Sequence, residues 1–156
     1  MNFPPEIEAI IKEYLYGIPF EEKDGQLITK GYKTSKGGLL NYVKKDWYED
    51  GQSKYFQQYN EGKEHGVSKK WYTDGQLLYL ENYKEGVEHG VWKWWYSNGQ
   101  LLYERHYKAG QRHGVWKWWY DNGQLSYERY YNEGKSYGVW KWWYKDGQLW
   151  YGRHYN

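Results

Sequence analysis

The chain of 156 residues carries 12 Trp, 21 Tyr and 3 Phe, a mean hydropathy of -1.20, and 22 Lys plus Arg against 20 Asp plus Glu. Its apolar surface therefore resides in rings with a polar handle rather than in an aliphatic core, and its balanced, interleaved charge supplies no field that recruits polyanions, so nucleic acid is not an expected partner. The absence of Cys removes disulfides, thiolate nucleophiles and Cys-based zinc sites together.

Residues 1–20 come first. Ile7, Ile10, Ile11, Tyr14 and Leu15 keep helical spacing after Pro4-Pro5, Glu6 and Glu8 suit the positive end of a helix, and Gly17 with Pro19 can end it. A short amphipathic helix is expected, lying on the first hairpins as a cap. No stretch approaches the roughly 18 consecutive apolar residues of a membrane span, and no basic region precedes an apolar core as in a secretion signal. An intracellular, cytoplasmic protein is expected.

Beyond the helix the chain repeats itself. Tyr48, Tyr72, Tyr96, Tyr120 and Tyr144 open units spaced 24 residues apart, and residues 96–119 and 120–143 agree at 16 of 24 positions. Residues 48–156 hold four full units and a terminal half unit; residues 21–47 form a degenerate first repeat. Each unit reads as a β-hairpin, "VWKWWY" and "LLYERHY" joined by "SNGQ", whose Asn98-Gly99 suits a type I′ turn. The connection "KAGQRHG" (108–114) reads as a looser hairpin turn. The expected architecture is an all-β repeat: an elongated, twisted, single-layer antiparallel sheet of successive hairpins with a short N-terminal helix.

With Asn98-Gly99 as the turn, Tyr96 faces Leu101, Trp94 faces Tyr103 and Trp92 faces Arg105 on one side of the sheet. On the other side Trp95 faces Leu102, Lys93 faces Glu104 and Val91 faces His106. Val91, Lys93 and Trp95 recur in every unit and read as the fold's demand, the lysine stems lying between rings as cation–π spacers.

The first side behaves differently. Its two middle positions run Lys44 and Asp46, then Ser68 and Lys70, then Trp92 and Trp94, Trp116 and Trp118, Trp140 and Trp142. Because the earlier units accept Lys, Asp and Ser, the fold by itself does not require these six indoles. Two readings stand side by side: a cladding that packs on neighbouring tyrosines, or an interaction face about 9.6 Å per hairpin that binds a partner. The terminal strand adds Gln148, Trp150, Tyr151, Arg153 and Tyr155, an open edge for self-pairing and a homo-oligomer.

At these residues the chain resembles a known family. "YKEGVEHGVWKWWYSNG" (83–99) and "YKAGQRHGVWKWWYDNG" (107–123) look like the variant MORN (membrane occupation and recognition nexus) repeat, well over 48–156 and loosely over 22–47. The resemblance implies a twisted run of hairpins used in protein assembly, sometimes with lipid binding. The chain departs from it where Trp92, Trp116 and Trp140 stand at a position the family keeps as Gly. "FPPEIEAIIKEYL" (3–15) also looks like the opening of an F-box.

Chemistry is not expected. His65, His89 and His113 recur in turns about 9.6 Å apart, too far to share a metal whose ligands lie about 2.1 Å away. No nucleophile triad, phosphate loop or isolated carboxylate pair rises above the repeat. We therefore expect no catalysis, metal or cofactor, and a noncatalytic scaffold presenting an aromatic sheet face to a protein partner or another copy of itself. The alternative is a peripheral module that reads anionic lipid surfaces.

Overall fold

The computed structural model describes residues 18–24, 27–33 and 38–156, and among these there is no helix. The helix expected near the N-terminus, with its F-box-like text, lies outside the described residues. Fourteen strands form one antiparallel sheet. They are β1 (Ile18–Asp24), β2 (Leu27–Lys33), β3 (Leu39–Trp47), β4 (Ser53–Asn60), β5 (Lys63–Trp71), β6 (Leu77–Lys84), β7 (Val87–Glu88), β8 (Gly90–Trp95), β9 (Leu101–Lys108), β10 (Gln111–Arg112), β11 (Gly114–Trp119), β12 (Leu125–Asn132), β13 (Lys135–Trp143) and β14 (Leu149–Tyr155). Each main strand pairs with its sequence neighbours, and the two-residue β7 and β10 extend the pairing of β6 and β9. Short connections leave antiparallel neighbours as the only accessible partners.

The two turn types are exchanged relative to the sequence reading. The tight two-residue turns are Glu61-Gly62, Glu85-Gly86, Ala109-Gly110 and Glu133-Gly134, where both residues have positive φ, from 47° to 83°. That is the type I′ signature, whose twist matches the flanking strands. At "SNGQ" only Gly99 is left-handed, at φ 80°. There Gly99 N–H donates to the Tyr96 carbonyl and Tyr96 N–H to the Gln100 carbonyl, closing a three-residue loop. Asn98 holds this loop by a different property: its Oδ1 accepts from Gln100 N–H at 3.0 Å, as Asp50, Asp74, Asn122 and Asp146 do in their units.

This exchange also corrects the register beside the turn. Trp92 faces Arg105, Lys93 faces Glu104 and Trp94 faces Tyr103 as expected, but Trp95 faces Leu101, with a bulge between Trp94 and Trp95. A three-residue loop shifts the pairing by one, and the bulge at Leu102 restores it. The same irregularity follows Asp46, Lys70, Trp118 and Trp142. The rest of the strand is thereby placed as a two-residue turn would have placed it.

A single sheet has no second layer, so its core must be one of its own faces. Among the described residues the buried ones are Tyr42, Gln57, Ser68, Glu81, Tyr103, Trp116, Tyr131 and Trp140. Their registers put all eight on the face that carries Trp92 and Trp94. The opposite face is held by cross-strand ion pairs, Lys93 with Glu104 at 3.0 Å and Lys117 with Glu128 at 3.4 Å.

Candidate functional site: the aromatic face and the terminal strand

Alternation along the strands sorts the rings of the core face into two rows that cross the sheet. One row runs Tyr83, Trp92, Tyr107, Trp116, Tyr131, Trp140, Tyr155, with successive centroids 5.0, 5.2, 5.1, 5.1, 5.2 and 4.3 Å apart. The other runs Tyr79, Trp94, Tyr103, Trp118, Tyr127 at 5.0, 5.7, 4.9 and 5.7 Å, and Trp142 meets Tyr151 at 5.4 Å. Most pairs are tilted, with interplanar angles up to 58°, an arrangement that aromatic quadrupoles favour over direct face-to-face overlap. Arg105 lies between the rows, its guanidinium 4.1 Å from Tyr103, 4.9 Å from Trp116 and 5.2 Å from Trp118. Arg129 repeats the clamp on Tyr127, Trp140 and Trp142 at 4.4, 4.8 and 5.5 Å.

Each indole of the first row also ties one hairpin to the previous one. Trp92 Nε1 donates to the Asn82 carbonyl at 2.8 Å, Trp116 to His106 at 2.9 Å and Trp140 to Tyr130 at 3.3 Å. One unit earlier the equivalent carbonyl is satisfied within its own strand. Ser68 stands at the indole position, and the carbonyl of Gln58, the counterpart of Asn82, accepts instead from the Gln57 side-chain amide at 3.0 Å. With Ser68 in place of an indole, the buried Gln57 supplies the donor to that carbonyl. Trp116 and Trp140 are 8 % exposed, while Trp92, Trp94, Trp118 and Trp142 keep part of each ring at the surface. Two of the six indoles, Trp116 and Trp140, thus belong to the core, and the other four lie between core and surface.

The cation–π partners are also reassigned. Lys45 lies over Phe56 at 5.8 Å, but Lys93 and Lys117 of the same column engage Glu104 and Glu128. Arginine is the principal ring clamp, a residue expected only opposite Trp92 and on the terminal edge. Arg appears at 105 and 129, one strand before Trp116 and Trp140, whereas Gln57 precedes Ser68 and Glu81 precedes Trp92.

The electrostatics of this face change along the sheet. In the earlier units Glu81 is buried, accepting from Trp94 Nε1 and from the Tyr83 hydroxyl at 2.9 Å each. Burial raises its carboxyl pKa, against those two hydrogen bonds, and the nearby Glu64 and Glu88 push the same way. Burial and Glu81 also raise the Tyr83 phenol. From β8 onward the face carries Arg105, Arg112, Arg129 and Arg153 and no carboxylate: Glu104 and Glu128 face the other way, and Asp121, Glu133 and Asp146 lie in turns. His65 pairs with Glu85 at 3.1 Å and His106 with Glu104 at 3.0 Å, each an ordinary surface contact. Among the described residues no group of three or more His, Asp or Glu could hold a metal.

β14 differs from every interior strand. It pairs with β13 on one side and with no described strand on the other. Its Trp150 is 61 % exposed and its Tyr151 49 %, although Tyr103, the counterpart of Tyr151 two units earlier, is 8 % exposed. Tyr137, Val139, Tyr144 and Leu149 are exposed beside them. Gln148 lies just before β14, its N–H taken by Asp146, and Arg153 sits 4.9 Å from the Tyr155 ring.

The pattern of the MORN repeat variant matches residues 64–85, 88–109, 112–133 and 136–156, four consecutive copies in the 24-residue period. The chain belongs to the MORN repeat family. Repeats of this family are generally noncatalytic modules for interaction or membrane association, and this member supplies an aromatic-rich sheet. No curated protein matches the chain. Among the described residues, no helix is long and apolar enough to cross a membrane.

Proposed function

We propose that this MORN repeat chain is a noncatalytic scaffold that presents the aromatic face of its sheet to protein, a second copy of itself included. The observation that carries the reading is the double use of the indoles of Trp92, Trp94, Trp118 and Trp142. Each ring packs on tyrosine neighbours and, for Trp118 and Trp142, against an arginine clamp, while the residue as a whole stays partly exposed. A ring already immobilised in the free protein loses little entropy when a partner covers it, which is why rigid aromatic anchors dominate protein interfaces. Oxidative footprinting reads this directly. In the scaffold reading these four indoles are oxidised in the dilute chain and become protected in the assembled state; equal oxidation in both would remove the face from the interface.

A second reading is favoured by one specific feature, the four arginines on the later half of this face. Guanidiniums among interfacial tryptophans suit an anionic lipid surface. Sedimentation with neutral and anionic vesicles separates the two. The scaffold stays in the supernatant with both; pelleting with anionic vesicles alone, reversed by salt, would establish the lipid reading in its place.

A further inference from the structure

The backbone of β14 specifies a partner. In interior hairpins the carbonyls of Asn82 and His106 accept from N–H groups of the following strand segment, His89 and His113. The counterpart of both in the last unit is His154. Since alternate residues of an antiparallel strand direct their N–H and C=O to the same side, Gly152 points outward with it, and the bulge at Trp150, the counterpart of Leu102, ends the alternation there. The outward groups of β14 are thus those of Gly152 and His154.

We propose that β14 pairs with β14 of a second copy, antiparallel, across a two-fold axis at Gly152. This deepens the scaffold reading and rests on it. In that register Gly152 faces Gly152 of the partner subunit, so outward groups meet outward groups on the axis. On the core face Tyr151 lies opposite the partner's Arg153. The contact repeats between subunits what Arg105 does within one, where its guanidinium covers Trp116 and Trp118 of the next hairpin.

The residue on the axis departs from the two units before it, the earlier ones carrying Leu80 and Phe56 in the same column. Lys93 faces Glu104 and Lys117 faces Glu128, but Lys141 faces Gly152. A carboxylate on the axis would meet its own image, and like charges directly opposite are destabilising. Gly152 carries no such charge, on a strand that pairs on its outer side with no described strand. Shifting the pairing by one residue would instead set Arg153 against itself. Head-to-tail growth through β1 is disfavoured by Pro19, which has no N–H to give.

The test is sedimentation velocity of the full chain from low to high micromolar concentration, together with two variants. The mass is expected to rise from 19.2 kDa to twice that and no further. Gly152→Glu introduces the residue of the two preceding units, with Lys141 waiting to pair; the nearest atoms to a Cβ there are at 3.7 Å, so the strand has room. It should keep the far-ultraviolet spectrum and abolish the dimer, raising the dissociation constant at least 100-fold. The chain has no native Cys, so Gly152→Cys should cross-link to its own copy and Arg153→Cys should not. Facing Cα atoms of a hydrogen-bonded pair lie about 5.5 Å apart, within disulfide reach. If Gly152→Glu fails to fold, the cross-link decides. A dimer indifferent to Gly152→Glu, a ladder of larger species, or cross-linking through residue 153 instead overturns the proposal. A chain that stays monomeric also overturns it, while protection of the face indoles by another protein would leave the scaffold reading standing.

Discussion

Replacing Trp116 with Ser tests whether the indoles are structural, and a second substitution tests why. The ring is 8 % exposed, lies 5.1 Å from both Tyr107 and Tyr131, and donates to the His106 carbonyl at 2.9 Å. Truncating a buried Trp costs about 3 to 5 kcal/mol, so Trp116→Ser should lose about 4 kcal/mol. Arg105→Gln alone removes a ring clamp worth about 1 kcal/mol. Together the two changes recreate the pair Gln57 and Ser68, in which the glutamine amide supplies the missing donor to the equivalent carbonyl. The double variant should therefore recover about 1 kcal/mol relative to the sum of the singles, the net worth of one hydrogen bond. Urea unfolding followed by circular dichroism gives all four stabilities. A loss below about 1 kcal/mol for Trp116→Ser would refute a structural role for the ring. Strict additivity would refute the exchange of indole for amide.

Three further outcomes follow from the same contacts. Glu81→Gln should flatten the pH profile: the folded-state pKa of Glu81 is raised, so the wild type is fully stable below the ordinary carboxyl pKa and loses stability as pH rises through the folded value. The stability difference between wild type and Glu81→Gln should grow in favour of the variant across that window, and a constant difference would contradict the burial of the charge. Ala109 has φ 50° in a tight turn, a conformation that Asn adopts more readily, so Ala109→Asn should raise the melting temperature; a fall would count against the type I′ assignment. Tyr120→Phe removes the hydrogen bond from its hydroxyl to the Trp143 carbonyl and should cost about 1 kcal/mol in urea unfolding. Tyr144, next in the series, is exposed with its ring against Trp150, and Tyr144→Phe should be near neutral; equal costs for the two would argue against hairpin-to-hairpin bonding through these hydroxyls.

The period, the strand order and the two faces were legible because ring, glycine and Asn/Asp positions recur in phase, and side-chain alternation converts that phase into a face. The turn types were not. Asn-Gly satisfies both a two-residue type I′ turn and a three-residue loop with a left-handed glycine, and the bulge at Leu102 hides the difference from the rest of the register. Glu85 and Ala109 take positive φ although neither residue type announces it; strand twist imposes the conformation. The burial of Trp116 and Trp140 was concealed for another reason. Comparing units one position at a time makes Ser68 look like evidence of tolerance, whereas the Gln57 side chain on the adjacent strand takes over the indole's hydrogen bond there.

The indole protons give the most direct test of whether the rings hold the sheet together. In an indole-labelled sample, hydrogen exchange should be slow at Nε1 of Trp92, Trp94, Trp116 and Trp140, which donate to Asn82, Glu81, His106 and Tyr130, and fast at the exposed Trp150. Uniformly fast exchange at all of them would show that the tryptophans only decorate the sheet, and would contradict the account.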